Sequence, residues 1–185
     1  MSSEREALVA TLVGEVADSP VAPGGGTVAG ITLALAAALV IKAARASADD
    51  WEEAGGVAAQ AQVLRRKAEG LPAESAAAFA AAVGLLRAGE GDQKLETALA
   101  NAADVPLRTA RLAASVAALA AETADRGNAD LRPEAVIACV LADSCCRAGA
   151  HLVEVNLATL PGDPRLEEAA MHMRAAAAAC AAAGI

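Results

Sequence analysis

The feature that most restricts the fold of this chain is a turn-forming segment at residues 18–26, which precedes a long apolar stretch. The segment contains Pro20, Pro23 and three consecutive glycines, so a regular helix or strand is not expected to run through it. Residues 27–48 then place apolar side chains on nearly every side of a helix, which is typical of a helix that others cover. We therefore expect a long central helix that begins after the glycines, with Thr27 as its N-cap.

The apolar residues of the chain are mostly small or aliphatic, which favours helices over strands. Hydrophobic residues make up 56% of the 185 residues, but Trp51 and Phe79 are its aromatic residues and tyrosine is absent. Alanine and leucine favour helices, whereas aromatic and β-branched residues favour strands. Alanine-rich helices must approach closely to leave no voids, and each buries little area. The composition predicts an all-α fold and, to bury more apolar surface, a second subunit.

Helical periodicity and helix-breaking residues predict a single-domain bundle of about seven helices that spans residues 1–185. The helix that starts at residue 92 is expected to kink or restart at Val105-Pro106 and to end at Gly127-Asn128. Pro133 fits the first turn of the helix that follows. The expected helices cover residues 3–17, 27–48, 49–70, 72–89, 92–126, 133–160 and 166–183.

Charge and segment lengths exclude several classes of function. The formal net charge is −8, and the chain lacks a basic stripe with interleaved aromatic residues, so we expect no nucleic-acid partner. The first residues do not resemble a signal peptide. The most apolar run, residues 28–41, is shorter than the roughly 20 residues that span a bilayer. We expect a cytoplasmic protein with no membrane partner.

The four cysteines are expected to be small buried residues in a reducing compartment. Cys139, Cys145, Cys146 and Cys180 match no zinc-binding spacing, and three of them lie on different faces of one predicted helix. We predict neither a disulfide nor a metal site.

Three segments of the chain resemble the cyclodeaminase/cyclohydrolase family, in the family's order. Residues 19–30 (SPVAPGGGTVAG) resemble the glycine turn that opens the family's central helix, and residues 104–110 (DVPLRTA) resemble its kinked helix. Gly127-Asn128, followed a helix later by residues 153–157 (VEVNL), resembles its closing signature. The distances between the segments fit along nearly the whole chain.

The family comprises methenyltetrahydrofolate cyclohydrolases and the cyclodeaminase half of formiminotransferase-cyclodeaminase. The resemblance implies an all-helical homodimer that takes a reduced folate as its small-molecule substrate, without a covalently bound cofactor. The implied reaction is hydrolysis of the methenyl bridge or cyclisation of formimino-tetrahydrofolate with loss of ammonia. The first hypothesis is therefore a C–N hydrolase or ammonia-lyase that acts on a cyclic amidine or imine, in a reduced folate or in a diverged substrate.

Several polar positions of the family pattern differ in this chain. The family's proposed proton donor is an Asp, and Ser75 stands at the matching position. Arg111, Leu152 and the pair Pro133-Glu134 stand where the family has a Glu, an Asn and a Ser-Asp pair. A hydroxyl cannot act as a general acid near neutral pH in the way that a tuned carboxyl can. These differences support a second hypothesis, a non-catalytic ligand-binding or scaffold homologue.

The glycine turn is the first candidate binding site. Backbone N–H groups at the start of a long helix are free, and the helix dipole favours an anion there. A ligand carboxylate or phosphate would therefore contact the residues of this turn, and the alternative is a tight turn between closely packed helices. The candidate residues are Pro23, Gly24, Gly25, Gly26 and Thr27.

Cations on the predicted helices form a second group of candidate binding residues. Lys42 and Arg45 interrupt the apolar central helix, and a buried charge needs a partner or a polar cavity. Arg108 and Arg111 of the kinked helix are their expected neighbours around a substrate. The alternative is that the central helix emerges into solvent at this point and the long side chains follow it.

A polar stripe supplies the catalytic candidates. Asp143, Arg147, His151 and Glu154 recur at three or four residues, so they share one helical face. Asp143 and His151 are the candidate acid–base pair, because a histidine can move protons near pH 7. Ser75 joins the catalytic candidates as a group that hydrogen-bonds the ligand. Arg147, and Asn156 of the closing signature, join the binding residues. The alternative is a solvated face with intrahelical ion pairs.

Overall fold

The described part of the chain folds into seven α-helices and one short 3₁₀-helix. The structure, a computed structural model, describes residues 2–89 and 91–184, which contain no strand, so the expected all-α fold is confirmed. The helices are α1 (Ser2–Asp18), α2 (Gly25–Arg45), α3 (Ala54–Arg87), α4 (Asp92–Ala102), α5 (Asp104–Arg126), the 3₁₀-helix Ala129–Leu131, α6 (Arg132–Asn156) and α7 (Pro164–Ala182).

Helix α2 is the central helix, as predicted. It packs against α3, α5 and α6, and its fully buried residues are Leu33, Ala36, Ala37, Val40 and Ala44. At 21 residues it is long and apolar enough to cross a membrane, as is the segment Ala129–Asn156. The expectation that this apolar segment is too short to span a bilayer was therefore wrong. About half of each helix is buried inside the bundle (56% and 50%), as in the core helices of soluble proteins.

The predicted N-cap of α2 was wrong by three residues. The N-cap is Gly24, whose backbone is extended, and the helix begins at Gly25. Thr27 is instead buried in the first turn, where its hydroxyl donates to the carbonyl oxygen of Pro72 in α3 at 3.4 Å. The three glycines thus belong to the start of the helix rather than to the loop before it.

The two helices expected at residues 49–70 and 72–89 form one helix, α3, of 34 residues with Pro72 inside it. A proline within a helix removes one backbone hydrogen bond, and this favours a break. In α3 the loss is offset by packing, because Ala68 and Leu71 are buried against α2 in the hydrophobic core. Tertiary contacts therefore override the local signal. Residues 46–53 form a turn in which Trp51 is buried.

The junction of α4 and α5 falls at Ala103, two residues before the predicted kink at Val105-Pro106. Arg165 at the start of α7 fixes this junction. Its guanidinium donates to the carbonyl oxygen of Ala100 at 2.6 Å and to the carboxylate of Asp104 at 2.7 Å. Hydrogen bonds from Arg165 also lower the pKa of the Asp163 carboxyl to about 2. Arg165 thereby holds the end of α4 and the start of α5 against the start of α7.

The C-terminal end of α5 confirms the predicted role of Gly127. Gly127 is the C-cap, and the backbone N–H of Asn128 donates to the buried hydroxyl of Ser47 at 2.8 Å. The Gly-Asn pair therefore ties α5 to the turn after α2. Helix α6 ends at Asn156 rather than near Leu160.

The four cysteines are buried with free thiols, and their expected burial is confirmed. Cys139 of α6 and Cys180 of α7 bring their sulfur atoms to 2.9 Å of each other. They belong to the hydrophobic core together with Cys145 and Cys146.

The close approach of α5 and α6 predicts a stability effect at Gly149. A Cβ atom there would lie 2.7 Å from the carbonyl oxygen of Pro106 and 2.9 Å from the backbone nitrogen of Ala110. Because backbone atoms cannot move aside cheaply, we expect Gly149→Ala to lower the free energy of unfolding by about 1–3 kcal/mol. Urea denaturation followed by circular dichroism measures this.

The matched control is Gly84→Ala in α3, where a Cβ meets nothing within 4 Å. Alanine there should raise the free energy of unfolding by about 0.5–1 kcal/mol, because glycine is a poor helix former. Equal effects of the two substitutions would contradict the close packing of α5 on α6.

Candidate functional site

A cavity of 770 Å³ lies at the N-terminal end of α2. Its walls are the loop at residues 19–24, the first two turns of α2, the middle of α3, the α4–α5 junction and the second half of α6. Small-molecule sites in proteins are typically clefts of about 300–1,000 Å³. The cavity therefore has the size of a site for one small organic ligand.

The start of α2 gives the cavity its strongest electrostatic feature. The N–H groups of Gly25, Gly26 and Thr27 have no acceptor within the helix, and the positive end of the helix dipole lies at the same place. All three residues line the cavity, and a Cβ on Gly25 would meet nothing within 4 Å. A hydrogen-bond acceptor or an anion of a ligand can therefore approach this backbone closely.

Ser75 lies directly against this helix start. A Cβ atom on Gly26 would overlap the Ser75 hydroxyl, so α2 and α3 approach this closely because residue 26 is a glycine. The Ser75 hydroxyl has no hydrogen-bond partner among the residues that the structure describes. It lines the cavity and is free to bind a ligand.

The cavity walls carry no charge at neutral pH. Aspartate, glutamate, histidine, lysine and arginine are absent from the lining residues in the described ranges. The ionisable group among them is the thiol of Cys145, and burial, together with the neighbouring Cys146, raises its pKa to about 12. The polar groups are the backbone of the glycine turn and the side chains of Ser19, Thr27, Thr32, Ser75, Ser144 and Asn156. These groups can donate and accept hydrogen bonds from a ligand.

Phe79 is a wall residue that sequence reasoning did not select. It lies one turn after Ser75 on α3, and its ring is 49% exposed although it lines the cavity. Its four-residue spacing from Ser75 was the available signal, because residues at that spacing share a helical face. Val105 and Pro106 from the segment resembling the kinked helix and Val155 from the closing signature also line the cavity and were missed as site residues.

Some of the predicted site residues meet in this cavity. They are Pro23, Gly24, Gly25, Gly26, Thr27, Ser75 and Asn156.

The predicted cations do not reach the cavity. Lys42, Arg108 and Arg111 are well exposed, and each forms an ion pair with a carboxylate on another helix: Lys42 with Glu134, Arg108 with Glu74, and Arg111 with Glu168. Arg45 is exposed as well. The four cations therefore do not form the expected cluster, because α2 emerges into solvent at Lys42 and the other charges also lie at the surface.

The predicted acid–base stripe is also outside the cavity. Arg147, His151 and Glu154 are exposed, and His151 lies 3.8 Å from Glu154. Asp143 is buried, and one of its oxygens accepts from Arg147. Its other oxygen has no hydrogen-bond partner in the described part of the chain. The stripe is thus a solvated helix face, apart from Asp143, which packs beside Cys139 and Cys146 rather than in the cavity wall.

Within the described ranges, no three His, Cys, Asp or Glu side chains come together in a way that could hold a metal ion.

The fold and the cavity define a class of protein. An all-helical bundle in which a glycine turn opens the central helix is the arrangement that the three family-like segments imply, and a ligand-sized cavity lies at that turn. Residues 8–175 match the family model described as formiminotransferase-cyclodeaminase, and the chain belongs to this family.

A solved structure supports the same fold. The crystal structure of formiminotetrahydrofolate cyclodeaminase from Thermotoga maritima superposes with a TM-score of 0.78 at 22% sequence identity. The match covers 93% of this chain and 89% of that chain. No protein with curated annotation matches this chain significantly.

The environment of Cys145 predicts the pH dependence of its reactivity. Because its pKa is raised to about 12, the reactive thiolate is scarce at pH 7. We expect the rate of alkylation by iodoacetamide to rise about tenfold per pH unit from pH 7 to 10, measured at Cys145 by peptide mass spectrometry. A free thiol such as glutathione, whose rate levels off near pH 9, is the control. A plateau at Cys145 near pH 8 would contradict the buried, uncharged environment.

Proposed function

We propose that this chain binds a reduced folate, or a small molecule that likewise combines a cyclic C–N group with an acidic group, in the cavity at the start of α2. The observation that carries the proposal is a ligand-sized, uncharged cavity with free backbone N–H groups at one end. Family membership supports this ligand class, since the Thermotoga maritima protein of the same fold is described as acting on formiminotetrahydrofolate. An open cavity also counts against a purely structural scaffold.

The cavity offers a complementary group for each part of such a ligand. A carboxylate or carbonyl oxygen would accept from the N–H groups of Gly25 and Gly26, where the helix dipole favours negative charge. The heteroaromatic ring of the ligand would pack on Phe79. The side-chain amide of Asn156 would form hydrogen bonds with the N–H and carbonyl groups of that ring. The mainly apolar remainder of the wall would exclude water from the ligand.

Binding is better supported than acid catalysis, because the lining residues within the described ranges include no aspartate, glutamate or histidine that could serve as a general acid near neutral pH. Opening or closing the C–N ring requires a proton on the departing nitrogen. Ser75 stands where the family has its proposed acid, and Asp143 and His151 do not line the cavity. The thiol of Cys145 holds its proton too tightly for this role, with a pKa of about 12.

Family membership favours a second candidate, the cyclohydrolase or cyclodeaminase reaction itself. In the first, water adds to the methenyl carbon, one C–N bond breaks and the released nitrogen takes a proton. In the second, the secondary amine nitrogen outside the pterin ring attacks the protonated formimino group at its carbon, loses its own proton to the departing nitrogen, and ammonia leaves as the methenyl bridge closes. Both would proceed slowly in this cavity unless an acid is supplied at the Ser75 position.

Substitution of Phe79 tests the binding proposal. Titration calorimetry with 5-formyltetrahydrofolate, a stable reduced folate, should show one site per chain. We expect Phe79→Ala to weaken binding by about tenfold, because it removes the stacking surface of the ring. Leu86→Ala, which truncates an exposed side chain of the same helix outside the cavity, is the matched control and should leave the affinity unchanged. Equal affinities of the two variants would contradict ligand binding in this cavity.

Substitution of Ser75 tests the second candidate function, the folate reaction. We expect the wild-type chain to leave the spontaneous loss of 5,10-methenyltetrahydrofolate absorbance unchanged. Ser75→Asp should accelerate it in proportion to protein concentration, since a carboxyl beside the α2 start restores an ionisable group to the wall. Ser75→Asn, a near-isosteric variant without an ionisable group, is the control. Acceleration by the wild-type chain would contradict the binding-only function and establish the enzyme.

A further inference from the structure

The thiols of Cys139 in α6 and Cys180 in α7 meet in the contact between these two helices. Their sulfur atoms lie 2.9 Å apart, and since a disulfide holds its sulfur atoms at about 2.0 Å, a small rotation of the side chains brings the pair to bonding distance. The Cys139 thiol donates to the carbonyl oxygen of Ala117 at 3.5 Å, and the Cys180 thiol donates to the carbonyl oxygen of Cys139 at 3.3 Å. These hydrogen bonds direct both sulfur atoms into one small region.

The other two cysteines are not placed for such a bond. The thiol of Cys146 donates to the carbonyl oxygen of Ala110 in α5, and Cys145 lines the ligand cavity. Cys145 and Cys146 are also consecutive residues of one helix, and consecutive helical side chains do not face each other. The fold therefore pairs Cys139 with Cys180.

The C-terminal end of α7 is held to the bundle by small side chains. Residues 175–183 are alanines apart from Cys180, and the buried ones are Ala176, Cys180 and Ala183. The guanidinium of Arg132, the first residue of α6, donates to the carbonyl oxygen of Ala183 at 3.0 Å. Alanine buries little apolar area, so this end of α7 is expected to open more readily than the core. A covalent bond to α6 would restrict that opening.

We propose that Cys139 and Cys180 form a reversible disulfide within the chain when it meets a peroxide, and that this bond holds the end of α7 on α6. In the reducing compartment expected from the sequence the two thiols stay free, and disulfides that form in such a compartment are typically transient and redox-sensing. Neither residue lines the ligand cavity, so this bond is independent of the function proposed for that cavity.

The reaction begins at Cys180, which is 7% exposed in the last turns of α7, whereas Cys139 is fully buried. Burial, the neighbouring Cys180 and the charge of Asp143 raise the pKa of Cys139, so its thiol is the slower of the two to meet an oxidant. The sulfur of Cys180 attacks one peroxide oxygen, the O–O bond breaks, and a sulfenic acid and one water form. The sulfur of Cys139 then attacks the sulfur of Cys180. The S–O bond breaks, the Cys139 proton joins the departing hydroxide, and a second water leaves as the S–S bond closes.

Peptide mapping identifies the bond. After treatment of the folded chain with millimolar hydrogen peroxide, trypsin digestion without reductant should give peptide 175–185 joined to peptide 127–147, with Cys139 as the linked residue on fragmentation. Dithiothreitol should separate the two peptides. The same treatment in concentrated urea should lose the preference for Cys139, because the fold no longer holds the pair together. A Cys180 thiol that stays unlinked, or that links to Cys145, Cys146 or another chain, would overturn the proposal.

Urea denaturation measures the effect on stability. A cross-link between residues 139 and 180 restricts the unfolded chain, so we expect peroxide to raise the urea midpoint of the wild-type chain by about 1–2 M. Cys139→Ala and Cys180→Ala should each abolish this rise, with every variant compared with its own untreated form. Cys146→Ala, which removes a buried thiol of α6 outside the pair, is the matched control and should keep the rise. An equal rise in Cys180→Ala would overturn the assignment to this pair.

Hydrogen exchange locates the effect in the chain. The backbone amides of residues 176–183 should exchange at least tenfold more slowly in the linked chain than in the reduced chain. Exchange in α1 should stay the same, because α1 makes no more than marginal contact with the other helices in the described ranges. Equal exchange of residues 176–183 in the linked and reduced chains would overturn the role of the bond in holding α7 on α6.

Discussion

The contact between the start of α2 and the middle of α3 determines both the packing of the fold and the character of its site. Thr27 donates to the carbonyl oxygen of Pro72 at 3.4 Å, and Gly26 admits the hydroxyl of Ser75. This contact fixes the free N–H groups of the helix start beside Ser75 and Phe79. A bulkier residue at position 26 would separate the two helices and open the cavity.

The cavity is uncharged because the ionisable side chains of these helices are directed elsewhere. The cations Lys42, Arg108 and Arg111 each pair with a carboxylate at the surface. Within the cavity the strongest field therefore comes from the backbone of α2. A fixed dipole stabilises a bound acceptor without itself giving or taking a proton, and this is the physical basis for preferring binding over catalysis.

Periodicity and breaking residues predicted most of the fold, and they failed where packing overrode them. The break between α1 and α2, the central position of α2 and the C-cap at Gly127 followed from local sequence. Pro72 predicted a break that did not occur, because the buried residues around it hold α3 together. Local signals carry no information about such long-range contacts.

Sequence reasoning identified the part of the cavity wall that backbone groups form. It missed the wall residues whose position depends on the packing of several helices. The glycine turn was identifiable because a helix start binds acceptors irrespective of its surroundings. By contrast, Lys42 and His151 are conspicuous in sequence but exposed in the structure, since a polar residue on an apolar helix often marks the side that meets solvent. Phe79 was overlooked because its role depends on the neighbouring helices that form the cavity.

The most direct test of ligand binding at the α2 start is a titration of ¹⁵N-labelled protein with 5-formyltetrahydrofolate, followed by NMR of the backbone amides. Binding predicts saturable shifts that are largest at Gly25, Gly26 and Thr27, with further shifts at Ser75 and Phe79. Shifts confined to other helices, or no shifts at millimolar ligand, would contradict the function proposed for this cavity.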